Sequence, residues 1–117
     1  VIGSDTLLYR LVFNLVENAI HYSRPGSTVN VSICDNDSHV FLRVEDQGPG
    51  IPKQYRESIF QPFFRLDKSR SRVYGGAGLG LALVWEIAAL HGGTVEVETS
   101  SENGTVMLVT LSKGATT

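Results

Sequence analysis

The sequence predicts an α+β fold, a two-layer sandwich in which helices lie on one face of a mixed, mostly antiparallel sheet. Three observations carry this. Apolar residues at helical spacing open the chain, and the same pattern returns between residues 79 and 91. Between and after these segments stand two pairs of short runs with apolar residues at every second position, each pair joined by a polar turn. With 117 residues, there is room for one hydrophobic core. A single domain is expected over residues 1–112, with 113–117 a frayed tail.

The first helix is expected to be capped by Ser4 or Asp5 and to run to about Tyr22, before Pro25 and Gly26 break it. Leu8, Val12, Leu15, Val16 and Ala19 form its expected buried stripe. Asn14, Asn18 and His21 fall at i, i+4 and i+7 on a different, polar stripe. Two strands follow, marked by Val29, Val31 and Ile33 and by Val40, Leu42 and Val44, with a turn at residues 35–38. Asp46 shares the parity of Val44 and should point to the core side at the strand's end. A short helix is expected over 52–58. Residues 61–76 mix Pro, Arg, Lys, Ser and Gly without a period and read as a long loop, a length usual for lids. The second long helix, about 79–91, should bury Leu83, Ile87 and Leu90 and stop at Gly92-Gly93. Strands at about 94–99 and 105–111, turning at Glu102, Asn103 and Gly104, close the fold.

A formal net charge of −2 argues against a nucleic-acid partner, which selects basic surfaces. The single cysteine, Cys34, permits no internal disulfide and no multi-thiolate zinc site, and points to a reducing, cytoplasmic setting. It is expected to be packed or half-exposed in its strand. No apolar run reaches the ~20 residues of a membrane span and no charged-then-apolar leader opens the chain, so no membrane contact is expected of this piece.

Asp46 admits a direct chemical reading. A carboxylate at a strand end accepts a hydrogen bond from the exocyclic amine of adenine and repels the guanine carbonyl. Gly48 and Gly50, lacking a β-carbon, let the chain turn closely past a base. Taken alone, Asp-x-Gly-x-Gly is also a common turn. Gly76, Gly78 and Gly80 open a helix whose free N–H groups suit phosphates. No Gly-Lys-Ser/Thr follows them as in a P-loop, and neither His-Arg-Asp nor Asp-Phe-Gly of the Ser/Thr/Tyr kinases occurs.

Four segments in order, Asn14-Leu-Val-Glu-Asn18-Ala, Asp46-Gln-Gly48-Pro-Gly50, Phe60-Gln-Pro-Phe63-Phe64-Arg65 and Gly76-Ala-Gly78-Leu-Gly80-Leu, resemble the N, G1, F and G2 boxes of sensor histidine kinase catalytic domains. These domains belong to the gyrase/Hsp90/histidine-kinase/MutL ATPase superfamily, and the resemblance runs from about Gly3 to Leu111. It implies the Bergerat ATP-binding fold, with ATP and Mg2+ as ligands. It assigns Asn18 to magnesium, a hard cation that takes oxygen ligands. It sets the amide of Asn14 where gyrase-type relatives carry the acid that activates water, which favours phosphotransfer to a protein over hydrolysis. Glu17 takes a catalytic or water-ordering role. At His21 relatives often carry a permanent cation, and a histidine would make a weaker, pH-sensitive contact. Tyr22 matches a position that packs on the adenine.

By the same resemblance Ile51, Phe60 and Leu79 complete the nucleotide-binding set, and Phe60, Phe63 and Phe64 anchor the lid. Arg65 and Arg70 match family arginines and rank above Lys68 and Arg72 as phosphate contacts. His21, His39 and His91 lack the sequence context of a phosphoacceptor. The acceptor is therefore expected on a separate dimerisation domain of a membrane-bound sensor, with a response regulator as the next partner. A non-catalytic ATP-sensing module and an anti-sigma-factor serine kinase of the same superfamily are the alternatives.

Overall fold

A computed structural model describes residues 5–62 and 80–113. The chain order is α1 (Asp5–Tyr22), β1 (Asn30–Asp35), β2 (His39–Asp46), two 3-10 turns (Lys53–Tyr55 and Ser58–Phe60), α2 (Gly80–Leu90), β3 (Thr94–Ser101) and β4 (Gly104–Ser112). The sheet runs β1-β2-β4-β3 and every neighbouring pair is antiparallel. α1 packs on β2 and α2 on β3 and β4, with the two helices side by side.

Alternation in the strands makes the core. Leu42 and Val44 of β2 sit opposite Val109 and Met107 of β4, and Val95 of β3 lies beside Val109. All five point to the face that the helices cover and are buried there with Leu11, Leu15 and Ala19 of α1 and Val84, Ile87 and Ala88 of α2. Each large side chain so buried contributes about 1.5–3 kcal/mol of transfer free energy. Asp46 continues the inward Leu42, Val44 series as its parity predicts, pairs with Thr105 and is buried.

The helix faces differ from expectation. In α1 the buried row is Leu11, Leu15 and Ala19, and Val12 is 37% exposed. The α1 row is the strict i, i+4, i+8 line that lies between the sheet and α2. α2 is apolar around most of its circumference, so its sequence leaves the core face ambiguous. Val84, Ile87 and Ala88 turn inward, and Leu83 and Leu90 lie 37% and 73% exposed. In β1, Val31 and Ile33 share the helix-side face of Val44 and Leu42. They remain 47% and 69% exposed because β1 is the edge strand, beyond the reach of α1. Cys34 is likewise exposed.

The local punctuation follows chemistry. Asn36 Oδ1 accepts from the main-chain N–H groups of Ser38 and His39 at 2.9 and 2.8 Å, closing the β1–β2 turn. After α2, the Gly93 N–H donates to the Ala88 carbonyl at 2.9 Å and ends the helix. His91 is buried there, with Nδ1 donating to the Ile87 carbonyl at 2.7 Å. The helix expected over 52–58 is instead the pair of 3-10 turns, as Pro52 starts a segment too short to nucleate a full helix.

Candidate nucleotide-binding site

Asp46 ends β2 as a buried residue, 7% exposed. Its Oδ1 accepts the main-chain N–H of Gly48 at 2.9 Å, and Thr105 of β4 is the strand partner of Asp46. Burial pushes the carboxyl above its ordinary value; the nearby main-chain N–H groups of Gly48 and Thr105 pull the other way, and Glu45 adds a push upward. An ionised carboxylate has about four lone-pair sites. One accepts from Gly48, so acceptor capacity is left for an amine on a ligand.

The turn after Asp46 is shaped by close backbone approaches. A β-carbon on Gly48 would fall on the carbonyl of Tyr22 at the end of α1, and one on Gly50 on the carbonyl of Ser101 at the end of β3. Gly50 also has φ +87°, which side-chain-bearing residues rarely adopt. The reason for glycine at both positions is thus visible within the protein: neighbouring main chain occupies the space, in addition to any base that lies beside the turn. Ile51, half-buried against the core, donates its N–H to Ser100 Oγ at 2.8 Å. Ser100 Oγ is also 2.8 Å from Thr105 Oγ1. Ile51, Ser100 and Thr105 therefore form one hydrogen-bonded chain that reaches the strand partner of Asp46.

On α1, Asn14, Asn18, His21 and Tyr22 are half-buried and Glu17 is exposed. Tyr22 meets the Asp46 turn through Gly48. At the other end of the stripe, Asn14 Oδ1 lies 3.8 Å from the place a β-carbon would take on Gly80, the first residue of α2. The polar stripe of α1 therefore runs from the Asp46 turn to the start of α2. Among the described residues no cluster of three or more His, Cys, Asp or Glu side chains could hold a metal ion. A lone amide ligand such as Asn18 suits magnesium, which keeps waters and relies on phosphate oxygens for its other ligands. Phe60 is buried with its ring centroid 5.4 Å from that of Trp85, fixing the second 3-10 turn to α2.

Phe63, Phe64, Arg65, Lys68, Arg70, Arg72, Gly76, Gly78 and Leu79, and with them most of the expected lid, lie outside the described residues. Four residues that join the site escaped sequence reasoning: Arg24, Arg56, Ser100 and Thr105. The parity of Thr105 with Met107 and Val109 was the one available signal, since it sets a hydroxyl on the buried face.

The family model described as "Histidine kinase-, DNA gyrase B-, and HSP90-like ATPase" matches residues 3–115. The chain belongs to this ATPase family. Within the family it is similar to the sensor-like histidine kinase SenX3 of Mycobacterium tuberculosis, with 43% identity over 111 residues, 95% of this chain and 27% of the relative. The fold is similar to that of the mycobacterial sensor histidine kinase MprB, with TM-score 0.82, 38% identity, and coverage of 96% of this chain and 74% of that one. It is also similar to full-length ShkA in complex with AMPPNP, with TM-score 0.76, 28% identity, and coverage of 90% of this chain and 21% of that one. This histidine-kinase-type domain thus spans about a quarter of the length of the curated relatives it matches. No helix among the described residues is long and apolar enough to cross a membrane.

Proposed function

We propose that residues 1–112 form the catalytic domain of a two-component sensor kinase. It binds Mg-ATP and transfers the γ-phosphoryl group to a histidine on a separate dimerisation domain of the parent chain, from which a response regulator receives it. The observation that carries this reading is the buried Asp46 carboxylate held by the Gly48 N–H at a sheet end, beside the polar stripe of α1. In this reading Asp46 accepts from the adenine amine, and Tyr22 and Ile51 flank the base. Asn18 supplies the protein oxygen to magnesium, whose contribution when bound is charge neutralisation on the phosphates.

The helix start at Gly80, with Gly76, Gly78 and Leu79 before it, offers N–H groups to phosphate oxygens, and Arg65 and Arg70 offer cations. His21 makes a supplementary contact near the phosphates. An amide at Asn14 cannot accept a proton from water, so hydrolysis is left without a base there. Glu17, solvent-exposed at the edge of that stripe, is open to an incoming acceptor imidazole and is assigned the task of taking its proton as the phosphorus–nitrogen bond forms. The products are ADP and phosphohistidine. Most of the acceleration then comes from positioning and charge stabilisation. The parent places this domain on the cytoplasmic side, where ATP is available.

Mixing the domain with a purified phosphoacceptor hairpin and γ-labelled ATP should yield label that is stable to base and lost in acid. Tight nucleotide binding with no such label would instead leave an ATP-sensing module.

A further inference from the structure

Two arginines outside the expected site make the same kind of contact at opposite ends of one segment. Arg24, in the loop after α1, donates from Nη1 to the Gln47 carbonyl at 3.2 Å and from Nη2 to the Glu102 carbonyl at 2.6 Å. Arg56, just after the first 3-10 turn, donates from Nε to the Ile51 carbonyl and from Nη2 to the Ser100 carbonyl, both at 3.2 Å. In each case one guanidinium joins a carbonyl of the segment 47–51 to a carbonyl of the β3–β4 hairpin. The stapled segment is the one that carries Gly48 and Gly50 and follows Asp46 directly.

We infer that Arg24 and Arg56 are positioning residues of the nucleotide site, which staple the Asp46 turn to the β3–β4 hairpin so that its carboxylate is held ready for the base; the inference rests on the nucleotide reading above. The chemistry suits arginine. Main chain at 47–51 has no strand ladder to satisfy its carbonyls, and a planar fork with several donors bridges two of them where a lysine ammonium on its flexible stem would not hold both in one geometry. The staples are coupled to the carboxylate. Ser100, whose carbonyl Arg56 holds, bonds through its hydroxyl to Ile51 N–H and to Thr105, and Thr105 is the strand partner of Asp46. Arg56 is half-buried and Arg24 exposed, so Arg56 should matter more. Rigidity before binding raises affinity by sparing the cost of ordering the turn when the ligand arrives.

The test is calorimetric titration with ADP, without magnesium, of the whole chain and of Arg56→Met, Arg24→Met, Ser100→Ala and Asp46→Asn, each checked by thermal melting to be folded at the working temperature. Arg56→Met should bind ADP roughly tenfold more weakly and Arg24→Met roughly threefold. In an Asp46→Asn background the effect of Arg56→Met should fall below about twofold, because little remains to be positioned. Should Arg56→Met not fold, Arg56→Lys, which keeps the charge but loses the two-pronged fork, carries the same expectation, and Ser100→Ala, which keeps the carbonyl but removes the hydroxyl link from Ile51 to Thr105, should weaken ADP binding in the same direction. Unchanged ADP affinity in the arginine variants, with Asp46→Asn weakened, overturns this inference alone. An undiminished effect in the Asp46→Asn background also overturns it, as general loosening. If the parent chain does not bind ADP, the nucleotide reading fails and this inference with it.

Discussion

The carbonyl of Tyr22 occupies the space into which a side chain at position 48 would project. The last residue of α1 and the turn after β2 are thereby locked in direct main-chain contact, and Gly48 N–H is left aimed at Asp46 Oδ1. One atom added at residue 48 would push the helix end and the turn apart.

Gly48→Ala should therefore lose about 1–3 kcal/mol of stability, the usual cost of forcing extra volume into packed structure. The melting temperature should drop by several degrees, at ~4–8 °C per kcal/mol for a domain of about this size. ADP affinity should fall with it, since the carboxylate loses a fixed N–H. A melting curve and a titration on the same sample check both.

Asp46→Asn should weaken ADP binding about 10–150-fold, the range for replacing a charge-assisted hydrogen bond worth about 1.5–3 kcal/mol by a weaker one. Calorimetry decides it, and equal affinity would remove Asp46 from the base-reading role.

The same variant has a signature in stability against pH. The Asp46 carboxyl is raised above 3.8 in the folded chain, chiefly by burial. The folded state therefore takes up this proton before the unfolded chain does, and protonation stabilises it. The burial penalty on the charge is present at neutral pH, is relieved as pH falls through the raised value, and is gone below the ordinary one. Relative to Asp46→Asn, the parent chain should gain stability on acidification across that window. Parallel melts at stepped pH should show the difference moving in favour of the parent; a constant difference would mean that burial of the charge costs nothing.

Asn18→Ala should leave magnesium-free ATP binding close to that of the parent and reduce the enhancement that magnesium brings, because the turn at Asp46 is untouched and only one oxygen ligand is lost. Titrations with and without magnesium separate the two. If magnesium helps the variant as much as the parent, its ligand lies elsewhere.

Leu15→Ala, at a side chain fully withdrawn from solvent, should cost about 2–5 kcal/mol. Leu90→Ala, 73% exposed, should change stability by less than ~0.5 kcal/mol. Denaturant titration of the two variants tests which face of each helix the core uses.

Read from the sequence by itself, the α+β class, the four strands and two long helices of the described residues, the inward parity of Asp46 and the polar stripe Asn14, Asn18, His21 were all accessible. They follow from local periods of 2 and 3.6 residues and from turn chemistry, which need no knowledge of neighbours. Tertiary structure decided which row of an all-apolar α2 is buried, because Val84, Ile87 and Ala88 differ from Leu83 and Leu90 only in what they meet. It decided that Val31 and Ile33 stand open, because an edge position in the sheet is a property of strand order. It also decided the physical need for Gly48 and Gly50, and it brought Arg24, Arg56, Ser100 and Thr105 to the Asp46 turn. Gly48 lies 26 residues from Tyr22, Gly50 51 from Ser101 and Asp46 59 from Thr105. Contacts at such separations leave no period in the sequence and exist only once α1 has packed on β2 and the sheet has brought the end of β2 beside the β3–β4 hairpin.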